Sequence, residues 1–360
     1  MSENEIIPTG AEPLQVDRRH FVKGVAWSTL ASVVAGDAFA QNPPETPSHA
    51  SEAGTVPKKP LGKTGLQVSA LGIGGFHLGS TKDQNEATEI VSRALDAGVN
   101  FFDNAWEYHD GESENRLGVA LQGKPRDKVV LMTKVCTHGR GKNVAMVMLE
   151  DSLRRLKTDH LDVWQIHEVI YYNDPDLIFA PGGVAEALTQ AKEQGKVRFV
   201  GFTGHKDPAI HLRMLSHGFP FDTVQMPLNC FDATFRSFET QVLPEANKRG
   251  VAVLGMKSLG GIGEMVTSGT ITPEEGLRYA MSLPVATTIS GIDSLYVLEQ
   301  NLAVARNFKP MTADEMDALR ERCRRLAADG RFEKFKTTKF YDGDLGREQH
   351  GFPPAKELPL

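Results

Sequence analysis

Short apolar runs without polar–apolar alternation recur along the chain from residue 69 onwards. A strand that is covered on both faces has this composition, which is typical of parallel sheets. The runs are SALGIGG (69–75), NFFDNA (100–105), KVVLMTK (128–134), LDVWQIH (161–167), VRFVGFTG (197–204), DTVQMPLN (222–229), VAVLGMK (251–257) and ATTISGI (286–292). The pattern therefore predicts eight buried strands.

Stretches with helical spacing of apolar residues separate these runs. They include 85–97, 143–156, 184–194, 238–249 and 273–282. Eight strand–helix units in one ordered series predict an α/β fold, a single (β/α)8 TIM barrel over residues 58–328; a doubly wound sheet is the alternative. Before the first unit, KPLGKTGLQVSAL (59–71) has a Lys-Thr-Gly turn between two apolar runs and predicts an N-terminal hairpin.

The first 40 residues have the pattern of an export signal. Arg18 and Arg19 precede an uncharged stretch over 24–36, and a small-x-small sequence ends at Ala40. The paired arginines predict a twin-arginine (Tat) signal over 1–40, with the Tat translocase as a transient partner and a periplasmic destination. An ordinary secretory signal or an uncleaved anchor is the alternative. The uncharged stretch is too short to span a bilayer, so no stable membrane insertion is expected.

Residues 41–57 are rich in Pro, Ser and Thr, which predicts a flexible linker. The full chain has 360 residues and a net charge of −6 without a long basic block, which argues against nucleic acid as the main partner. Three cysteines are too few and too scattered for a disulfide framework. Of these, Cys136 and Cys230 follow predicted strands and could lie near each other.

Three sequence patterns resemble known site motifs but lack a required residue or spacing. GIGGFHLG (72–79) has no third glycine of a dinucleotide fingerprint, and HEVIY (167–171) has no second zinc-binding histidine. His205, His211 and His217 are six residues apart and do not share a helical face, so we interpret them as surface residues or hydrogen-bonded polar groups. No metal site is predicted.

Polar side chains end several of the predicted strands. They are Asp103, Lys134, His167, Thr203, Gln225, Asn229 and Lys257. The carboxyl ends of barrel strands carry the active site in TIM-barrel enzymes. Tyr108 follows Asp103 by five residues and would lie over the same end.

Four of these groups together suit carbonyl reduction. A carbonyl that accepts hydride also needs a proton, which a tyrosine can donate. An ammonium at Lys134 would lower the pKa of Tyr108, Asp103 would hold the lysine, and His167 would orient the carbonyl oxygen.

The four residues in this order resemble the catalytic tetrad of the aldo-keto reductases. The segments GESENRLGVAL, SLRRLKTDHLDVWQIH, GKVRFVGFTGH and GIDSLYVLEQNL are also similar to that family, and the resemblance runs from about residue 58 to 310. It implies a (β/α)8 barrel that uses NADP or NAD to interconvert small-molecule carbonyls and alcohols by hydride transfer. Tyr108 would be the general acid/base, with Asp103, Lys134 and His167 catalytic beside it. Substrate contacts fall on Trp106 and His167.

The resemblance also implies a set of cofactor-binding residues. They are Gly74, Gly75, Asp103, Thr203, Gly204, Gln225, Met256, Lys257, Leu259, Gly260, Gly291, Ser294, Gln300 and Asn301. Two positions depart from the family, which has Asn at 204 and a stacking aromatic at 256. No Lys or Arg lies between Ser290 and Ala305, and Asp293 adds a negative charge, so NAD or dual use is favoured over strict NADP.

Two alternative functions share this fold. The barrel could hold its nicotinamide tightly and oxidise a second substrate to regenerate it, as nicotinoproteins do, or it could be a catalytically silent binding subunit. The intact tetrad favours an enzyme. The C-terminal extension over 329–360 is either a cover over the barrel mouth or a surface arm. Pocket walls are expected from Glu107, His109 and residues 168–172. Oligomeric state is left open.

Overall fold

The computed structural model describes residues 54–339, 341–354 and 357. The predicted export signal (1–40) and residues 41–53 of the predicted linker lie outside these residues. Within the described part of the chain, no helix is both long enough and apolar enough to cross a membrane.

Eight parallel strands close into a barrel, as the sequence predicted. The barrel strands are β3 (Leu71–Gly74), β4 (Phe101–Asp103), β5 (Val130–Val135), β6 (Leu161–Ile166), β7 (Val197–Thr203), β8 (Thr223–Pro227), β9 (Ala252–Met256) and β10 (Thr287–Gly291). Each strand pairs with the next along the chain, and β10 pairs with β3 to complete the ring. The (β/α)8 prediction is confirmed and the doubly wound alternative is wrong.

An antiparallel hairpin of β1 (Lys58–Pro60) and β2 (Gln67–Ser69) precedes the barrel, which confirms the predicted hairpin. Leu61 and Val68 of the hairpin pack with side chains inside the barrel, among them Phe101, Met132 and Leu254. The hairpin therefore closes the amino end of the barrel. The carboxyl end is left for a site.

Helices surround the barrel and bury apolar stripes against its outer face. In chain order they are α1 (Gly75–Gly79), α2 (Gln84–Asp96), α3 (Glu112–Ala120), α4 (Lys142–Leu156), α5 (Asp174–Phe179), α6 (Val184–Glu193), α7 (Pro208–Ser216), α8 (Phe238–Arg249), α9 (Glu264–Thr267), α10 (Pro273–Ser282), α11 (Leu295–Arg306), α12 (Ala313–Ala327), α13 (Lys334–Thr337) and α14 (Asp344–Gln349). The protein has one apolar core inside the barrel and another between the barrel and the helices. Adjacent residues of one strand belong to different cores: Phe101 points into the barrel, and Phe102 packs under the helices.

Candidate active site

The four predicted catalytic residues meet at the carboxyl end of the barrel. Asp103 is the last residue of β4, Lys134 lies in β5 and His167 follows the last residue of β6. Tyr108 begins a 3-10 turn (Tyr108–Gly111) in the loop after β4. Parallel neighbouring strands end at one edge, so residues far apart in sequence meet there.

A buried ion pair joins two of the four residues. The Lys134 Nζ contacts Asp103 Oδ1 and donates a second hydrogen bond to the carbonyl oxygen of Asn104 at 2.7 Å. Both partners are almost fully buried, and the Nε2 of Gln225 donates to the other Asp103 oxygen at 3.2 Å. Because every charged atom has a partner, the lysine is held in one position despite its burial.

Tyr108 lies against the same lysine. Lys134 Nζ is 5.0 Å from the centre of the phenol ring, and the rings of Tyr108 and His167 meet edge to face with centroids 5.6 Å apart. The chain after Tyr108 is left-handed at His109 (φ 51°) and Asp110 (φ 55°). Such conformations are costly away from glycine and cluster at functional sites, where surrounding contacts hold them.

Contacts around the turn explain how this conformation is held. His109 Nε2 lies 2.8 Å from the carbonyl oxygen of Phe76, and Ser113 Oγ donates to that of Gly75 at 2.6 Å. Gly111 follows with φ 88°, and a Cβ there would lie 2.3 Å from the Arg155 guanidinium. The segment GESE (111–114) therefore holds the loop that carries Tyr108 in place.

Glu114 also stabilises the loop that carries Tyr108. Its carboxylate is fully buried, accepts a hydrogen bond from Thr133 Oγ1 at 2.6 Å and pairs with Arg155 at 3.2 Å. Burial raises the pKa of Glu114. The residue positions the loop and makes no contact with the tetrad.

The pKa of Tyr108 is raised, whereas the sequence analysis predicted that it would be lowered. Burial, followed by the negative charges of Asp103, Glu107 and Glu168, raises the pKa of Tyr108 well above its usual value. The expected lowering of this pKa is therefore wrong for the protein alone, because burial and the three carboxylates raise it. Tyr108 therefore carries its proton, as a proton donor must.

Glu107 adds a carboxylate to the histidine. One of its oxygens contacts His167 Nδ1. Burial opposes ionisation of Glu107, but the charges of His167 and Lys134 hold its pKa below the usual value. The Nε2 side of His167 is therefore left to face a ligand.

The residues expected to hold the nicotinamide end lie on β7 and β8. Gln225 Nε2 donates a hydrogen bond to Asp103, and the buried Oε1 of Gln225 has no hydrogen-bond partner within the described part of the chain. Thr203 is buried and is paired in register with Gln225. An unpartnered buried acceptor fits the amino group of a carboxamide, since buried polar atoms are normally paired. These residues therefore fit a nicotinamide.

Glycines allow close backbone approach elsewhere in the expected cofactor set. A Cβ at Gly204 would lie 2.2 Å from the Val169 carbonyl oxygen, so this position tolerates no side chain. A Cβ at Gly75 would lie 2.5 Å from the Asp103 carbonyl oxygen, and a Cβ at Gly291 would lie 2.2 Å from the His77 ring. A Cβ at Gly74 would be less crowded, with its nearest atom 3.0 Å away.

Residues Met256 to Gly260 form the loop after β9. Met256, Lys257 and Leu259 are partly exposed, and Lys257 (φ 55°) and Gly260 (φ 79°) are left-handed. Burial lowers the pKa of Lys257 to about 8, so its ammonium is present at neutral pH.

The last βα loop and α11 supply the remaining positions. Ser294 caps α11 by accepting from the Val297 amide, and Asn301 Nδ2 donates to Ser290 Oγ at 3.0 Å. Gln300 is partly exposed one residue before Asn301. Asn301 thus holds the loop, whereas Gln300 is the better placed of the two for a ligand.

The C-terminal extension contacts loops at the barrel mouth. Lys206, after β7, donates to the Thr338 carbonyl oxygen at 2.6 Å and pairs with Asp342. The Lys257 Nζ lies 5.8 Å from each ring centre of Phe335 and Tyr341. These contacts place Phe335, Thr338, Tyr341 and Asp342 beside the strand ends that carry the expected cofactor residues.

Glu168 links the extension to the tetrad. It directly follows His167, is left-handed (φ 46°), and accepts weakly from the Gly343 amide at 3.4 Å. Burial raises the pKa of Glu168 to about 7. A carboxyl that titrates near neutrality therefore lies between the catalytic histidine and the extension.

The comparisons with known proteins agree with this geometry. The sequence model described as the Aldo/keto reductase family matches residues 70–276. The chain belongs to the aldo/keto reductase family. The fold of a solved relative agrees: the holo form of aldo-keto reductase AKR11C1 from Bacillus halodurans superposes with a TM-score of 0.63 at 24% identity, over 74% of this chain and 96% of that one.

Two curated family members are similar in sequence. Aldo-keto reductase YhdN of Bacillus subtilis is 30% identical over 214 residues, which cover 55% of this chain and 61% of YhdN. The 6-dehydroglucose reductase of Novosphingobium aromaticivorans is 31% identical over 217 residues, which cover 56% of this chain and 68% of that reductase. The chain thus spans about three fifths of the length of YhdN.

Sequence reasoning missed several groups around the family tetrad. His205 and His211 are buried; His211 Nε2 lies 3.4 Å from the Gln225 carbonyl oxygen, whereas His205 Nε2 has no partner among the described residues. His217 is exposed and His211 is a hydrogen-bonded polar group, so both agree with the prediction. His205 is neither a surface residue nor hydrogen-bonded through Nε2 to any described residue, and the prediction is wrong for it. The position of His205 two residues beyond β7 was the available signal.

Cys136 was also missed as a neighbour of the tetrad. Glu107, Cys136 and His167 each place one ligand atom within 4.8 Å of the others, a donor set that suits zinc. Metal binding needs the thiolate, but burial and the nearby carboxylates raise the pKa of Cys136 well above its usual value. That no metal is held stays a prediction.

Proposed function

We propose that this family member is a nicotinamide-dependent oxidoreductase that interconverts an aldehyde or ketone and its alcohol. The observation that carries the proposal is the cluster at the barrel mouth, where Tyr108 lies 5.0 Å from the Lys134 ammonium and edge to face with His167. A protonated phenol, a fixed cation and an imidazole around one space are what carbonyl reduction requires.

Each side chain has a separate part in the reaction. The bound nicotinamide supplies or accepts the hydride. Tyr108 gives its proton to the carbonyl oxygen during reduction and takes it back during oxidation. Lys134, fixed by Asp103, stabilises the phenolate left behind, and His167 donates a hydrogen bond that orients the oxygen.

The cofactor is proposed to be NAD(H), or both nicotinamides. Gln225 Oε1 and Thr203 would hold the carboxamide, and Lys257 would attract the pyrophosphate. NADP-specific relatives are expected to place Lys and Arg where this chain has Gly291 and Val297. The Cβ clash of Gly291 with His77 supports the absence of a lysine at that position.

The substrate is proposed to carry hydroxyl groups beside its carbonyl. Trp106 Nε1 and His205 Nε2 are buried without a hydrogen-bond partner among the described residues. Such atoms favour a ligand that offers matching polar groups. The similarity to a 6-dehydroglucose reductase, which is named for a sugar carbonyl, supports the same class.

Export through the Tat pathway remains part of the proposal, supported by Arg18, Arg19 and the sequence ending at Ala40. That route carries folded proteins, so the barrel would load its cofactor before export and reach the periplasm as a holoenzyme. The second candidate function, a nicotinoprotein with tightly held cofactor, is favoured by the contacts of Phe335 and Tyr341 with Lys257 in the expected cofactor loop. A silent binding subunit is disfavoured by the complete tetrad.

One experiment tests the central proposal. Oxidation and reduction of a broad carbonyl and alcohol panel are measured for the wild type and Tyr108→Phe, with NADH binding followed by fluorescence. Turnover is expected to fall by about 10²–10⁴ in the variant while NADH binding is kept, because the phenol donates a proton and does not hold the dinucleotide. Undiminished turnover would refute the tetrad assignment. Cofactor that stays bound through gel filtration identifies the nicotinoprotein form.

A further inference from the structure

Two buried thiols lie side by side outside the tetrad. Cys230 is in the loop after β8 and Cys323 is in α12, and their sulfur atoms are 3.7 Å apart. Both residues are fully buried. The third thiol, Cys136, has a different neighbour, with its sulfur 3.4 Å from His138 Nε2. The expected neighbour of Cys136 was Cys230; the structure instead pairs Cys230 with Cys323.

The separation of the two sulfur atoms is close to what a covalent link requires. A disulfide bond is about 2.05 Å long, so the atoms need to approach by roughly 1.7 Å. Side-chain rotation can supply much of that movement. A bond between these residues would close a loop across 93 positions of the chain.

The chemical environment supports reaction of this pair. The hydrogen bond between the sulfur atoms, together with the Arg322 charge, holds the pKa of Cys323 below its usual value. The same hydrogen bond and burial raise the pKa of Cys230. Cys323 is therefore the nucleophile, since the thiolate attacks a disulfide.

We propose that Cys230 and Cys323 form a redox pair that closes into a disulfide and fastens α12 to the loop after β8. A small-molecule disulfide is the oxidant, and it reaches the fully buried pair when α12 opens locally from the loop after β8. The Cys323 thiolate attacks it and releases one thiolate, and Cys230 then displaces the second as its own proton leaves. The protein loses two electrons and two protons, and the oxidant gains them as two thiols.

The bond would act on the root of the C-terminal extension. Helix α12 leads directly into residues 328–339, where buried Lys336 pairs with Glu333 at 2.8 Å and with Asp232 at 2.6 Å. Asp232 lies two residues after Cys230. Oxidation therefore ties together the two segments that this ion cluster already holds, next to the extension's contacts with the barrel mouth.

The test uses the whole chain equilibrated with a mixture of oxidised and reduced glutathione. Intact mass is expected to fall by the two hydrogens, free thiols are expected to fall from three to one, and a non-reducing digest is expected to link the peptides of Cys230 and Cys323. Cys136→Ser is the matched control and is expected to form the same link. Cys323→Ala and, independently, Cys230→Ala are expected to abolish it.

Melting temperature measures the structural consequence. The oxidised wild type is expected to melt about 3–6 °C above the reduced form, with no such difference in Cys323→Ala. Three free thiols after equilibration with an excess of oxidised glutathione would overturn the proposed bond, as would a link to Cys136. A linked protein that melts no higher than the reduced one would overturn the fastening role.

Discussion

The Glu107 carboxylate contacts Nδ1 of His167, on the opposite side of the imidazole from Nε2. The contact joins the loop that carries Tyr108 to the residue that follows β6. In the proposed mechanism Glu107 acts through His167, because a hydrogen bond at Nδ1 fixes the orientation of the imidazole ring. A hydrogen bond to a carboxylate is stronger than one between neutral groups.

Glu107→Gln is therefore expected to lower kcat/KM for carbonyl reduction by about tenfold to a hundredfold, the value of one charge-assisted hydrogen bond. The loss is expected in kcat more than in KM, because the contact orients His167 and does not itself bind the substrate. Glu112→Gln, five residues away on the exposed side of the same segment, is the matched control. An unchanged kcat/KM in Glu107→Gln would contradict the positioning role.

Glu168 should make stability depend on pH. Its pKa is raised from 4.5 to about 7 in the folded protein, so the folded state binds the proton more tightly than the unfolded state. The stabilising contribution is complete below about pH 4.5 and is lost as the pH rises to about 7. Glu168→Gln mimics the protonated acid and is expected to match the wild type near pH 5.

At pH 8 the Glu168→Gln variant is expected to be more stable than the wild type by about 1–3 kcal/mol. Urea unfolding at the two pH values measures the difference. Glu274→Gln, at an exposed position, should show no such pH-dependent gain. Equal free energies of unfolding for Glu168→Gln and wild type at pH 8 would contradict the prediction, because ionisation of Glu168 would then not destabilise the folded protein.

Cofactor preference follows from the last βα loop. The exposed Asp293 carboxylate is expected to repel a 2′-phosphate and to accept hydrogen bonds from ribose hydroxyls. Asp293→Asn should therefore raise the NADPH-to-NADH affinity ratio by about threefold to tenfold, as measured by fluorescence titration. Asp314→Asn, another exposed substitution, is the control. Wild type that binds NADPH tenfold more tightly than NADH would contradict this interpretation of the loop.

The export prediction is tested in living cells. Replacing both Arg18 and Arg19 by lysine is expected to keep the precursor inside the cell, because the Tat translocase recognises the paired arginines. Immunoblots of fractionated cells report location, and the N-terminus of the exported wild type is expected at Gln41. Normal export and cleavage of the double-lysine precursor would show that another route is used.

The strand positions and the tetrad residues were predictable because they depend on local signals. Apolar runs of six to eight residues at regular intervals specify buried parallel strands. An acid, a lysine and a histidine at the ends of such strands meet at one edge of the barrel, independently of the loop conformations. The run that ends at Asp103 and the run that holds Lys134 are examples. Periodicity alone was enough to place these two residues together.

Contacts between segments far apart in sequence were decided only by the tertiary structure. The contact of Glu107 with His167 spans 60 positions, that of Cys230 with Cys323 spans 93, and that of Glu168 with Gly343 spans 175. No periodic pattern encodes them, because they depend on how the loops and the extension pack once the barrel has closed. The direction of the Tyr108 pKa shift was also decided by the tertiary structure. The sequence predicted the Asp103–Lys134 pair, but only the packing shows that burial of the phenol is the largest cause and raises its pKa.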